Sequence, residues 1–194
     1  MKKIVLASKS LRRKQILEQV GLAFSIDVSN FDEKTVSAKK PGELVKLLSL
    51  AKANAVAHKY KDAIVIGSDT VVVLGSEILG KPETKKEAKK MLGKLSGKTH
   101  SVFSGYTVVD VKDKKTISGY VETKVKFKDL TDKEISTYVT KCEVLDKAGA
   151  YAIQDKAAVF IEYIQGDYLS VVGLPLAAIY KALSKFGVDI TKNW

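Results

Sequence analysis

Hydrophobic residues in this chain fall into short runs and helical stripes separated by polar turns. Lys3–Ala7 suits a buried strand, and Ser8–Ser10 reads as a turn with Ser10 as a helix N-cap. The helix that follows runs to about Val20 and stops at Gly21. Phe24–Val28 reads as a second strand and the polar segment Ser29–Lys40 as a loop. Pro41 fits the first turn of a helix reaching about Lys59. Val45, Leu48, Ala55 and Val56 share one face of it, and Lys52 falls on that same apolar face.

The run from Ala63 to Leu74 is β-branched and continuous except at Gly67, Ser68, Asp69 and Thr70. Gly75-Ser76 then turns the chain into Glu77–Leu79. Thr84 and Glu87 have the spacing of a capping box, with Ala88, Met91, Leu92 and Leu95 following at helical intervals until Gly97. His100–Val111 and Thr116–Lys128 read as antiparallel strands around Asp113-Lys114-Lys115. A second box, Thr131 and Glu134, opens a helix to about Lys141. Val159–Gln165 and Tyr168–Val172 flank Gly166-Asp167, a hairpin signal, and a last helix spans about Leu174–Phe186 before Gly187. The expected class is α/β (mixed α+β), with a curved mixed sheet and flanking helices.

Composition narrows this picture. A chain of 194 residues, 45% of them hydrophobic, supports one full-sized core, so residues 1–194 are expected to form a single domain. No apolar run approaches the ~20 residues that cross a membrane, and only Ile4–Ala7 resembles a secretory core, so a cytoplasmic protein is expected. The single cysteine, Cys142, excludes an internal disulfide and a cysteine-cluster metal site. His58 and His100 lack the spacing of a zinc pair. The net charge of +11 admits polyanions, but the lysines are spread along the whole chain and no aromatic RNA-binding motif accompanies them. A lysine-rich surface accounts for the charge better than nucleic-acid binding does.

Charge placement is more informative than total charge. Arg12, Arg13 and Lys14 crowd the first turn of a helix, where the macrodipole disfavours cations by roughly 0.3–1 kcal/mol each. Unpaired N–H groups at that helix start, the hydroxyls of Ser8 and Ser10, and two guanidinium forks together suit a phosphate-bearing ligand. A solvated basic face explains the same residues. No G-x-x-x-x-G-K-[ST] loop occurs anywhere in the chain. Asp69 stands in a run that otherwise suits full burial, where an isolated carboxylate costs several kcal/mol. It needs a cation, a metal or a strand end, and Lys52 and Lys81 are candidate partners. Glu33 is a further acid, and two carboxylates near a triphosphate suggest a divalent ion. In Gly149–Gln154 the small residues permit close approach to a ligand, and Gln154 carries both a donor and an acceptor for reading a base. A tight turn explains that glycine equally well.

Six blocks in order, LASKSLRRKQIL, LAKANAVA, IGSDTVVVLGSEILGKP, MLGKLSGKTHSV, LDKAGAYAIQ and GDYLSVVGLPL, resemble the Maf family of nucleotide pyrophosphatases over nearly the whole chain. The resemblance implies two lobes around a cleft, a fold similar to inosine triphosphate pyrophosphatases, and hydrolysis of nucleoside triphosphates to monophosphate and pyrophosphate with Mg²⁺ or Mn²⁺. It implies Ser8, Arg12, Arg13 and Lys14 as a phosphate-binding loop, Glu33 and Asp69 as metal-binding and catalytic acids with Asp69 the general base, and Lys52 and Lys81 as catalytic lysines. It further implies Arg12, Thr70 and Gln154 as positions of base choice, a dTTP- and UTP-type subgroup from the form AGAYAIQ, and a homodimer. The chain departs from the family pattern at Leu11, at Ser68 and in Asp155–Ala158 after the glutamine. The competing expectations are a 7-methyl-GTP pyrophosphatase and a non-catalytic, nucleotide-binding regulator of cell division.

Overall fold

In the computed structural model, which describes residues 2–28 and 30–193, seven strands and six α-helices are seen among the described residues. In chain order they are β1 (Ile4–Leu6), α1 (Leu11–Gln19), β2 (Ser25–Ile26), α2 (Pro41–Ala57), β3 (Ile64–Leu74), β4 (Glu77–Leu79) and α3 (Lys85–Leu95). Then come β5 (Thr99–Asp110), β6 (Lys115–Phe127), α4 (Asp132–Lys141), β7 (Ile161–Gln165), α5 (Tyr168–Val172) and α6 (Leu176–Lys185). The sheet runs β2-β1-β3-β5-β6-β7, with β4 paired to β3. It is mixed: β1 is parallel to β2 and to β3, whereas β4 is antiparallel to β3 and β7 to β6.

Two compact units can be distinguished. The first contains residues 1–69, 104–121 and 173–194, and the second residues 70–103 and 122–172. In the first unit, Val5 and Ala7 of the opening segment pack with Ala53, Val56 and Ala57 of α2 and with Val65 of β3. Two glycines set the depth of that packing. A Cβ on Gly67 would lie 2.3 Å from the Ser49 carbonyl oxygen, and one on Gly105 would lie 2.1 Å from that of Val45. Only glycine lets α2 come so close to these strands. In the second unit, Leu92 and Leu95 of α3, Phe127, Val139 of α4, Tyr151 and Phe160 form the core. The capping box predicted at Thr131 is complete, with Glu134 closing it from the other side. At Thr84 only half of it forms: the hydroxyl accepts from the Glu87 N–H, while the Glu87 carboxylate accepts from the Glu83 N–H instead.

Three expectations need correction. Tyr168–Val172 is a helix and not the second arm of a hairpin, because Asp167 caps it: its Oδ1 accepts from the N–H groups of Leu169 and Ser170 at 2.9 and 3.2 Å. Glycine followed by aspartate signals a helix cap as well as it signals a tight turn. The strand placed from Val159 starts only at Ile161, since Lys156–Phe160 coils into a 3-10 turn capped by Asp155. The loop expected over 29–40 contains a 3-10 turn at Glu33–Thr35, capped by Asp32, while Ser29 lies outside the described residues.

Candidate active site

In the first unit the acids and the lysine singled out from sequence meet. Lys52 lies one turn beyond Ser49 on α2, so the close approach at Gly67 brings its ammonium to the strand. Its Nζ stands 2.5 Å from Asp69 Oδ1 and 2.8 Å from Glu33 Oε1. Asp69 is buried, at 8% exposure, and Lys52 half-buried, whereas Glu33 is exposed. The carboxylate that looked misplaced in a hydrophobic run is therefore paired, as a buried charge must be. Ser68, beside it, is fully buried and donates its hydroxyl to the Gly105 and Gly173 carbonyls at 2.8 and 3.2 Å. Those two bonds give a structural reason for a serine at this position.

The basic loop is held by the same unit. Ser10 occupies the N-cap position of α1, but its side chain makes no capping bond, so the first N–H groups of the helix keep no side-chain partner from it. The Ser8 hydroxyl, 8% exposed, instead accepts from the Ser10 N–H at 3.2 Å and from Arg13 Nη1 at 3.1 Å. Arg13 also donates through Nε to the Gly173 carbonyl at 2.9 Å. Burial lowers the Arg13 pKa from its ordinary value, and the charge of Asp69 opposes that shift. Lys14 pairs along the helix with Glu18 at 3.5 Å, an exposed contact worth a few tenths of a kcal/mol. Arg12 is half-buried at the head of the same turn.

The second unit carries the remaining candidates. Thr70 follows Asp69 on β3 and is half-buried. Lys81 is exposed, next to the buried Pro82, and Gln154 is exposed at the end of the buried run Tyr151–Ile153. Among the described residues neither side chain makes a hydrogen bond or ion pair. The run before Gln154 is anchored from behind: Tyr151 Oη and His100 Nε2 lie 2.8 Å apart, and the Ala152 N–H donates to Tyr138 Oη at 3.3 Å. His100 is buried between Phe127 and Tyr151, and burial drops its pKa to about 4. Sequence reading missed this anchor, since a lone histidine carries no signal of its partner.

The oxygen donors present fit a divalent cation in a limited way. Among the described residues no group of three or more His, Cys, Asp or Glu side chains could hold a metal. Glu33 and Asp69, both already directed at one cation, offer at most a pair of carboxylates, which is the donor set of a Mg²⁺ that takes its other ligands from water and phosphate. A separate surface hollow of about 500 Å³, lined by Lys3, Leu22, Phe24, Phe186 and Lys192, contains none of the candidate residues.

The mixed sheet defines an α/β protein, and in its first unit a buried acid is joined to a half-buried lysine. Its fold is similar to that of a HAM1 protein from Coxiella burnetii, with a TM-score of 0.54 at 15% identity over 95% of this chain and 100% of that one. This is the inosine triphosphate pyrophosphatase-like fold expected from the sequence. Residues 3–186 match the model of the family described as Maf-like protein, and the chain belongs to that family. Two curated relatives, from Bacillus cereus strain G9842 and Bacillus anthracis strain CDC 684, are each 49% identical over 98% of this chain and 99% of their own length. Both are named dTTP/UTP pyrophosphatase. Among the described residues no helix is long and apolar enough to cross a membrane.

Proposed function

We propose that this protein hydrolyses dTTP and UTP to the monophosphate and pyrophosphate, with residues 1–194 acting as one Maf-like domain in the cytoplasm. The observation that carries the substrate assignment is the near full-length match to relatives named for that activity. The pairing of Asp69 with Lys52 supports the assignment of roles. Asp69 takes a proton from the water that attacks the α-phosphorus, and Lys52 holds that carboxylate in position and balances its charge. Arg12 and Lys14 bind phosphate oxygens beside the start of α1; Arg13 orients Ser8 for the same purpose. Lys81 offers its ammonium to the charge that builds on the leaving pyrophosphate. Thr70 and Gln154 recognise the pyrimidine, with Arg12 contributing to that choice. A divalent cation, Mg²⁺ or Mn²⁺, held by Glu33 and Asp69 together with phosphate oxygens, supplies charge neutralisation when bound.

The decisive experiment is pyrophosphate release from a panel of dTTP, UTP, the purine triphosphates and 7-methyl-GTP with each metal. Preference for dTTP and UTP is expected. Preference for 7-methyl-GTP overturns the subgroup, and nucleotide binding without any turnover overturns catalysis in favour of a regulator. The homodimer expected from the resemblance belongs to the same proposal, and light scattering of the purified chain tests it.

A further inference from the structure

Among the described residues, one lysine alone is buried, and it is none of those assigned above. Lys147 is 8% exposed. An ammonium has three donors, and among the described residues this one meets a single acceptor, Asp146 Oδ1 at 2.6 Å. That acceptor belongs to an exposed neighbour whose side chain is 61% accessible, and among the described residues no second acceptor is bonded to the ammonium.

The backbone around Lys147 is locked. Its carbonyl accepts from the Ala150 N–H at 3.0 Å, closing a turn in which Gly149 and Ala150 both take left-handed conformations, at φ 67° and 65°. A left-handed alanine is strained, and this one is fully buried against the core. A Cβ on Gly149 would press on Val72 at 3.1 Å, and the Gly149 N–H donates to the Gly80 carbonyl at 3.0 Å. Lys147 is thus fixed on a segment bonded directly to the one that carries Lys81, and it precedes Gln154 by seven residues.

We infer that Lys147 is a further phosphate-binding residue for the nucleoside triphosphate, taking oxygens of its polyphosphate with the donors that Asp146 leaves unspent. The inference rests on the function proposed above. A compact ammonium suits phosphate oxygens and reads no base, a task left to the neutral amide of Gln154. The competing account is that Lys147 and Asp146 merely staple the turn.

The two accounts predict different patterns of affinity for two substitutions. Affinities of the intact protein are measured for the α,β-methylene analogue of dTTP, for dTMP and for thymidine, with thermal melting as a folding control. Lys147→Met, close in size and uncharged, is expected to weaken the triphosphate analogue roughly 10- to 100-fold and to leave thymidine within about twofold. Asp146→Asn, which removes the competing carboxylate, is expected to leave the analogue's affinity unchanged or tighten it, and Lys147→Arg to restore part of the loss. Equal weakening of all three ligands by Lys147→Met and Asp146→Asn overturns the inference in favour of the staple, as does unchanged analogue affinity in a folded Lys147→Met protein. If the wild type binds the analogue but releases no pyrophosphate from any nucleotide, the proposed reaction falls while the affinities still decide Lys147. If the wild type binds no nucleotide, both fall.

Discussion

The two units present their candidate residues in opposite states. In the first, Asp69, Lys52 and Glu33 are already joined, and Arg13 is bonded to Ser8 and Gly173. In the second, Lys81 and Gln154 are exposed and, among the described residues, without bonds, although the backbone before Gln154 is anchored by Tyr138 and by the His100–Tyr151 contact. The difference follows from burial. An acid buried like Asp69 is tolerable only with its cation in place, so its geometry is fixed before any ligand arrives. Exposed polar groups lose little by waiting in water and stay available to a ligand. Preorganised charge suits the chemical step, and available side chains suit selection.

Substitutions can break this contrast. Asp69→Asn should lower kcat for pyrophosphate release by roughly 10³-fold, about 4 kcal/mol of barrier, with little change in nucleotide affinity. A variant within tenfold of wild type would remove Asp69 as the base. Lys52→Met should destabilise the fold by about 3 kcal/mol, because it leaves a buried carboxylate without its partner, and the restoring second change is Asp69→Asn. Urea unfolding of the single and double variants checks this coupling, which vanishes if the pair contributes nothing.

The anchor in the second unit gives a pH test. The His100 pKa falls from 6.5 to about 4 on folding, so between those values the unfolded chain binds a proton that the folded one refuses. Its contribution to stability is therefore complete above pH 6.5 and is lost as pH falls toward and through 4, in total on the order of 3 kcal/mol. Melting of the wild type and of His100→Phe over that range should show the larger acid-side loss in the wild type, the remainder in the variant coming from carboxylates such as Glu134. The smallest effect belongs to Gln154→Ala, which should shift the preference for dTTP over a purine triphosphate by roughly tenfold while leaving stability within about 0.5 kcal/mol. A shift in kcat alone, equal for all bases, would detach Gln154 from recognition.

Much of this was readable in one dimension. Periodicity located most of the helices and strands, because the strands and helices that pack one face inward repeat their apolar residues at 2.0 or 3.6 positions. It failed where a single polar residue reassigned a short segment, as Asp167 did by capping α5. The charges of the first turn of α1 and the misfit of Asp69 also stood out, since each broke a local rule.

From the sequence alone came the alternation of elements, the family resemblance, and the identity of Asp69 as a charge in need of a partner. Which cation it received depended on how the elements packed. Lys52 and Lys81 were equal candidates along the chain, separated from Asp69 by 17 and 12 positions. Gly67 and Gly105 settled the choice by letting α2 sink onto β3 and β5 until the Lys52 ammonium reached the carboxylate. Contact across such separations depends on how closely two backbones can pack, a property of the three-dimensional neighbours of a glycine and not of its neighbours in sequence.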